Sequence, residues 1–555
     1  MQYTLPSFLL LLFCSMGSLL LAQRNYDLHW VAFKDKANTP YSLFKPHEYL
    51  SHKALWRRAK QEILIDSSDL PVNKNYVQLL EKEGLKIHAT SRWFNGAIVI
   101  GQWADVEKAL TQHKDIFIDA QSIGFYREPN RYLYPNRITV DTNYKKINDF
   151  YGAGSNQIKM LNGHYLHGLG FQGQALDIAI FDAGFPEMRE TPAFYTAFNE
   201  NRILGTFDLV EGDTFVYDED SHGRNVLSTI AADLPHLFVG TAPKANYYLM
   251  RTEDNQSELI AEEYFWLLAA ELADSLGVDV INSSLGYATF DDKKMNHAYV
   301  EIDGKTVPIS RAAKFAAEKG ILVVTSAGNS GQDKWKHITP PADVETVLTV
   351  GAVDREEKYA KFSSHGFDTQ PYIKPDVSAR GASTIIAAAE SYDTRYASGT
   401  SFSSPIIAGM TASLWQALPH LSAQDIIYKL RMNSSKSNNP DYFVGYGVPN
   451  YYKIYKDNAQ NLLEIDFLKA NDWIQNTPFK LQDKLELIFV NLPLYDNIQV
   501  RISDAIGTIL HQENLAVKDR DFTPFIFLGK GVWSKGVYLL EITYKGEVKR
   551  LKLVY

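Results

Sequence analysis

The middle of the chain alternates short apolar runs with stretches of helical spacing. Parallel sheets covered by helices on both faces have nearly continuous apolar strands of this kind, joined by helical connections. We therefore predict an α/β fold with a mainly parallel sheet flanked by helices over residues 155–455. The runs that carry this prediction are 175–181, 278–281, 321–325 and 347–350 for strands and 257–276 and 311–319 for helices.

The two ends of the chain follow other patterns. Residues 23–125 mix strand-like and helical spacings, which predicts a small α+β domain. Beyond residue 456 the apolar positions alternate in short runs between turn residues, which predicts a C-terminal β-sandwich over 456–555. The N-terminal runs are strands at 29–33, 97–101 and 116–118 and helices at 75–84 and 103–113, and the C-terminal strands lie at 485–489, 498–502 and 537–542.

A polar, proline-punctuated stretch follows the N-terminal domain. It has no helical period, so we predict an exposed linker over 126–154 that contains a processing site.

The first 22 residues read as a secretory signal peptide. Two apolar runs, at 8–13 and 19–21, precede Ala22, a small residue suited to cleavage before Gln23, although no Lys or Arg stands before them. We expect a secreted or cell-surface protein. The one cysteine, Cys14, lies inside this segment, so the exported chain would have no disulfide. Lipid attachment at Cys14 is disfavoured because the bulky Phe13 precedes it.

Charge and hydropathy exclude two classes of partner. The formal net charge of the 555 residues is -9 and no basic stripe with interleaved aromatics occurs, so we expect no nucleic-acid partner. After the signal segment no run reaches the ~18 apolar residues of a membrane helix, so we expect no transmembrane segment.

Three polar residues stand where elements of the α/β domain begin or end. Asp182 closes a buried apolar run, His222 enters a predicted helix, and Ser401 follows Gly399 before the apolar helix predicted at 406–417. Each has an ordinary structural reading: a capping Asp, a structural His and a capping Ser. Their order along the chain, Asp then His then Ser, is the subtilisin order of a serine-protease triad.

On these segments the chain resembles the subtilase family from 176 to 449. Two further segments, 279–286 and 323–331, look like the family's substrate-lining strand and oxyanion-hole segment. The resemblance implies a serine endopeptidase that cleaves protein or peptide substrates through an acyl-enzyme. One departure is Asn225, where the family commonly has a second histidine. The implied roles are Asp182, His222 and Ser401 as the triad, Asn329 in the oxyanion hole, and Ser284, Leu285, Gly286, Ser326, Ala327 and Gly328 as the substrate-binding walls.

Thr339 is expected near the base of the first specificity pocket, and with no acidic residue clearly placed there we favour apolar or aromatic P1 side chains. A second function remains open, that of a catalytically silent surface binding protein with the subtilase fold, although the intact triad disfavours it.

The flanking domains carry resemblances of their own. Residues 27–122 resemble a protease propeptide, with a permanent N-terminal module as the alternative. The C-terminal run through Tyr555, with Gly507 upstream, resembles the sorting domain of the type IX secretion system of Bacteroidetes. The Tyr-Pro-Asn-Pro segment usual at its start is absent, so an accessory sandwich with no sorting role stays open. Type IX machinery is thus one expected partner.

No cofactor is expected to be required for the chemistry. Calcium binding is frequent among subtilases, and a structural calcium ion would suit a chain without disulfides, but the sequence assigns no metal ligands. His164 and His167 have helical spacing that suits a metal pair. No third ligand accompanies them, which favours core or surface histidines.

Overall fold

The structure is a computed structural model that describes residues 25–127, 146–368, 370–459, 479–481, 484–486, 497–504, 508–516, 525–527, 537–544 and 547–554. The predicted signal peptide, most of the predicted linker and Gly507 lie outside the described residues. Within these ranges, no helix is both long and apolar enough to cross a membrane.

The N-terminal domain is α+β, as predicted. Its four strands pair antiparallel in the order β2-β3-β1-β4. Three features differ from the prediction: α1 and β2 were missed, and β4 continues to Arg127, inside the stretch predicted to be linker. The elements are β1 Asn25–Phe33, α1 His52–Lys60, α2 Lys74–Lys82, β2 Lys86–Ser91, β3 Gly96–Ile100, α3 Trp103–Gln112 and β4 Phe117–Arg127, with 3-10 turns at Pro46–Glu48 and Ser67–Asp69.

A seven-stranded parallel sheet forms the centre of the molecule and confirms the predicted fold class. Its order is β13-β12-β11-β10-β5-β9-β6. The strands of this region are β5 Asp177–Asp182, β6 Ile203–Asp208, β7 Asp233–Leu234, β8 Phe238–Val239, β9 Asn246–Arg251, β10 Val280–Ser283, β11 Leu322–Ser326, β12 Leu348–Val353, β13 Val377–Arg380, β14 Thr384–Ala387 and β15 Thr394–Ala397. The short strands pair as β7-β8 and β14-β15.

Helices cover both faces of this sheet. They are α4 Ser155–Lys159, α5 Gly163–Gly168, α6 Tyr195–Asn199, α7 His222–Ala231, α8 Ala261–Leu276, α9 Pro308–Glu318, α10 Thr400–Ala417, α11 Ala423–Met432 and α12 Tyr451–Ala459, with 3-10 turns at Pro192–Phe194, Lys293–Met295 and Tyr299–Glu301.

The side chains of β5 show how the two faces differ. Ile178 and Ile180 point into a core shared with α7, α10 and α11. Ala179 and Phe181 point the other way, into a core shared with α8 and α9. The second core also contains Trp30 of β1, so the N-terminal sheet packs on the outer side of α8 and α9.

The predicted C-terminal domain begins inside α12, and the elements described from residue 479 onward are strands. They assemble into two antiparallel sheets, β16-β17-β20 and β19-β18-β21-β22. The strands predicted at 498–502 and 537–542 lie within β18 and β21, while that at 485–489 is described only to Glu486; packing into a sandwich stays a prediction. The strands are β16 Phe479–Leu481, β17 Lys484–Glu486, β18 Asn497–Asp504, β19 Ile509–Ala516, β20 Phe525–Phe527, β21 Val537–Tyr544 and β22 Glu547–Val554.

Candidate active site

Asp182 lies at the carboxyl end of β5, between the ends of β9 and β10. Its neighbours in register are Arg251 on β9 and, one residue earlier, Ser283 opposite Phe181. The chain changes direction across the sheet here, which is where open α/β sheets place their sites. The Asp182 side chain is fully buried, and its Oδ1 accepts a hydrogen bond from the N–H of Ala183 at 2.9 Å.

His222 is the first residue of α7. Its Nδ1 lies 2.7 Å from Asp182 Oδ1. Because a carboxylate only accepts hydrogen bonds, Nδ1 carries the proton and Nε2 is left to act as a base. Burial alone would lower the pKa of His222, but the charge and hydrogen bond of Asp182 outweigh it and raise the pKa to about 9.

Ser401 is the second residue of α10, which begins at Thr400. The helix thus includes the apolar run predicted at 406–417 and begins before it, with Ser401 at its start and Pro405 inside it. The Ser401 hydroxyl donates to the carbonyl of Ser284 at 3.3 Å. Its neighbour Phe402 has its ring centroid 5.9 Å from that of His222, which brings the start of α10 close to the imidazole.

The described contacts do not include a hydrogen bond between Ser401 and His222. The carboxylate–imidazole pair is thus formed, while the serine hydroxyl is turned toward Ser284. Catalytic hydrogen bonds are often long or misaligned before substrate binds.

Asn329 is held by the start of α10. Its Oδ1 accepts from the Thr400 N–H at 2.8 Å and from the Thr400 hydroxyl at 3.0 Å. The Thr400 hydroxyl also accepts from the N–H of Gly328 at 3.1 Å. With Oδ1 occupied, the amide NH₂ of Asn329 is the group left to donate to a ligand. Sequence reasoning missed Thr400, whose position next to Ser401 was its only signal.

The first predicted wall follows β10. Ser284 is buried, Leu285 is half-buried and Gly286 is exposed. The Ser284 hydroxyl donates to the carbonyl of Ser401 at 2.9 Å and accepts from Asn282 Nδ2 at 3.1 Å. These contacts fix the wall against the start of α10.

The second predicted wall follows β11. Ser326 and Ala327 are buried and Gly328 is half-buried. A Cβ on Gly328 would lie 3.1 Å from Thr339 Oγ1, and a Cβ on Gly286 would collide with the same oxygen. The Thr339 side chain therefore lies between Gly286 and Gly328.

An acidic residue near the triad was also missed. Glu253 follows β9, is half-buried and accepts a hydrogen bond from the hydroxyl of Tyr287. Burial, with the charge of Glu258, raises the pKa of Glu253 to about 8. Its charge adds to that of Asp182 in raising the pKa of His222. No motif marked it, because only the fold brings 253 near 222.

The remaining singled-out residues lie apart from this site. His167 is buried and its Nε2 hydrogen-bonds the carbonyl of Thr241 at 3.0 Å, while the His164 ring lies against Tyr165. The side chain of Asn225 accepts from Arg224. No group of three or more His, Cys, Asp or Glu arranged to hold a metal occurs in the part of the chain that the structure describes.

Comparisons with known proteins agree with this geometry. Residues 173–447 match the model of the subtilase family, peptidase S8, and residues 28–130 match that of the peptidase S8 propeptide domain of Bacteroidota. Subtilisin DY from Bacillus licheniformis is 28% identical over 297 residues, covering 53% of this chain and 95% of that protein. Serine protease AprX from Bacillus subtilis strain 168 is 28% identical over 320 residues, covering 52% and 66%.

A solved structure supports the fold. The crystal structure of the epidermin leader peptide processing serine protease from Staphylococcus aureus has a TM-score of 0.51 at 18% identity, covering 78% of this chain and 98% of that chain. Fold and sequence together define a serine peptidase. The chain carries a subtilase-family peptidase domain behind an S8 propeptide domain, and the protein is a subtilisin-like serine endopeptidase.

Proposed function

We propose that Asp182, His222 and Ser401 are the catalytic triad of this endopeptidase. The observation that carries the proposal is the 2.7 Å contact between His222 Nδ1 and Asp182 Oδ1 at the carboxyl edge of the sheet, beside Ser401. His222 Nε2 takes the Ser401 proton as Oγ attacks the peptide carbonyl, then gives it to the leaving amine. Water hydrolyses the resulting acyl-enzyme by the reverse sequence. Asp182 keeps the imidazole in the useful tautomer and stabilises its cation.

The proposed oxyanion hole consists of the Asn329 NH₂ group and the backbone N–H of Ser401. Support comes from Thr400, which occupies the amide oxygen of Asn329 and so orients its nitrogen. The amino-terminal end of α10 adds a partial positive charge at the same place. These donors are fixed before the reaction, which is what makes such stabilisation effective.

The substrate is proposed to add as a strand to the edge formed by Ser284, Leu285 and Gly286. Its P1 side chain enters between this wall and that of Ser326, Ala327 and Gly328, with Thr339 at the base. Because Thr339 is small and uncharged, we propose apolar or aromatic P1 residues. The chemistry uses protein groups only, and the ligands of a structural calcium ion remain unassigned.

A fluorophosphonate probe tests the site directly. Purified full-length chain and its Ser401→Ala variant are incubated with the probe after release of the propeptide. Covalent labelling that disappears in the variant is the expected result. Equal labelling, or none in either protein, would argue for the silent binding function.

We propose further that the protein is exported as a zymogen, through residues 1–22, and sorted through residues 456–555 by type IX machinery. The strands described between residues 479 and 554 and the S8 propeptide match support this route. Deleting the last twenty residues should retain the protein in the periplasm, and unchanged release would reject the sorting role. N-terminal sequencing of the released protein locates the linker cut, and a start at Gln23 would reject removal of the N-terminal domain.

A further inference from the structure

The N-terminal domain touches the peptidase through two surfaces, which meet at Asp274. One is the packing of its sheet on α8 and α9, where Gln121 Nε2 donates to the Tyr264 hydroxyl at 2.5 Å. The other is formed by residues 51–63, the α1 clamp, which lies at the amino-terminal edge of the parallel sheet. The six residues of β5 separate this edge from Asp182 by roughly 17 Å at ~3.3 Å per residue.

The α1 clamp covers the carboxyl ends of α8 and α9. Both helices are followed by a glycine with positive φ, Gly277 at 88° and Gly320 at 85°. A Cβ on Gly277 would lie 2.7 Å from the backbone nitrogen of Ala54, and one on Gly320 would lie 2.7 Å from Gln61 Nε2. The α1 clamp therefore lies directly on both helix ends, with its backbone at Gly277 and with side chains at Gly320.

Arg57 satisfies backbone carbonyls at these helix ends. Its Nη1 donates to the carbonyl of Val278 at 2.7 Å and its Nε to that of Lys319 at 3.2 Å, both just beyond the last residues of the helices. The helices have caps of their own, since the Gly277 N–H donates to Ala273 and the Gly320 N–H to Ala317. The buried cation from the N-terminal domain therefore binds the turns that follow α8 and α9, where the helix dipole is negative.

Carboxylates of the peptidase domain meet the same cations. Asp274, in the last turn of α8, is fully buried and contacts Arg57, Arg58 and Arg92, the last two at 2.6 Å. An acid at a helix carboxyl end is unfavourable by itself. Asp274 is therefore a residue placed to receive the N-terminal domain.

Lys53 bridges two further carboxylates of the peptidase domain. Its Nζ lies 2.7 Å from Asp177 and 2.8 Å from Asp279, at the starts of β5 and β10. Without this lysine the two carboxylates would be left together with like charge. None of the hydrogen bonds or ion pairs that residues 25–127 make with the rest of the described chain involves Asp182, His222 or Ser401.

We propose that the α1 clamp is a docking site independent of the catalytic cleft, and that it determines how long the N-terminal domain stays bound after the linker is cut. Linker cleavage alone then yields a two-chain complex held by buried charges at the far edge of the sheet. The carboxylates at the amino edge, Asp177, Asp274 and Asp279, thus bind the basic helix α1 of this same chain.

The test starts from the full-length Ser401→Ala chain with a recognition sequence for another protease inserted in the linker. After cutting, gel filtration and dissociation kinetics report whether the fragments remain together. Because that protease makes the cut, the result does not depend on the triad assignment. We expect co-elution of the unsubstituted fragments.

The discriminating variants are Arg57→Met and Lys53→Met. Removing the buried Arg57 cation, or the half-buried Lys53 that joins two buried carboxylates, should speed dissociation roughly 100-fold or more. The matched control is Lys108→Met, the same kind of change at the exposed pair with Glu83 inside the N-terminal domain, which should leave dissociation unchanged. Release no faster in the two clamp variants than in this control would overturn the proposal.

A second measurement covers variants that fail to fold. Hydrogen exchange on the unsubstituted cut complex should show the amides of α1 as protected as those of β3. Rapid exchange at 52–60 in an otherwise protected complex, or immediate separation of the fragments, would also overturn the proposal.

Discussion

The two edges of the seven-stranded sheet use polar residues in opposite ways. At the carboxyl edge, Asp182 Oδ2 has no hydrogen-bond partner among the described residues, and the Ser401 hydroxyl makes one 3.3 Å contact. At the amino edge, Asp274 contacts three arginines. The carboxyl edge leaves the Ser401 hydroxyl available for a substrate, whereas the amino edge pairs its carboxylates with cations of the N-terminal domain. Residues at the first edge should thus control rate, and those at the second should control stability and domain retention.

The largest expected effect is that of Ser401→Ala at the catalytic edge. Loss of the proposed nucleophile should reduce kcat by about 10⁶-fold, because the two other members of a serine-protease triad cannot act alone. Peptide hydrolysis measured alongside thermal unfolding checks this. A large drop in stability in the same variant would contradict the view that the carboxyl edge controls rate and the amino edge controls stability.

Asp182→Asn should follow, with a kcat loss of about 10⁴-fold because the imidazole is held in the wrong tautomer. In the unsubstituted enzyme the raised pKa of His222, about 9, leaves the imidazole protonated and unable to accept a proton below that pH. Activity should thus fall as pH decreases through this value.

Removing the Asp182 charge should shift the acid limb of the pH profile to lower pH, since burial then lowers the pKa of His222. A profile of kcat/KM against pH for both proteins measures the shift. An unmoved limb would show that another group controls it.

At the opposite edge, Asp274→Ala should destabilise the uncut chain by about 3–5 kcal/mol, since three buried arginines lose their shared partner. Chemical denaturation monitored by tryptophan fluorescence gives the change in free energy of unfolding. Fluorophosphonate labelling of the folded fraction of this variant, after propeptide release, should match the unsubstituted protein. Loss of labelling in the folded variant would show that the amino edge affects the carboxyl edge.

The smallest effect is that of Asn329→Ala, a loss of roughly 100- to 1,000-fold in kcat from one missing oxyanion donor. KM should change little, because the hydrogen bond strengthens only as charge develops. Steady-state kinetics separate the two parameters. Unchanged kcat would remove Asn329 from the proposed mechanism.

Sequence predicted one edge better than the other for a physical reason. Asp182, His222 and Ser401 stand at ends of elements that their own apolar neighbours reveal, so position and residue type were readable. Helix α1 is short and strongly cationic. Its arginines are buried because they pair with Asp274, which lies more than two hundred positions away in the sequence. Propensity and periodicity contain no trace of such a contact. The same limit hid Thr400, whose role depends on Asn329 across 71 positions.

The single cysteine of the chain, Cys14, leaves no second thiol for an intramolecular cross-link. The buried cations of α1 join two domains in the way that disulfides do in many extracellular proteins. Reductants should leave this contact between the domains intact, whereas dissolved ions should weaken it. Guanidinium chloride, itself an ionic competitor for carboxylates, should therefore separate the domains at concentrations where urea of matched denaturing strength does not.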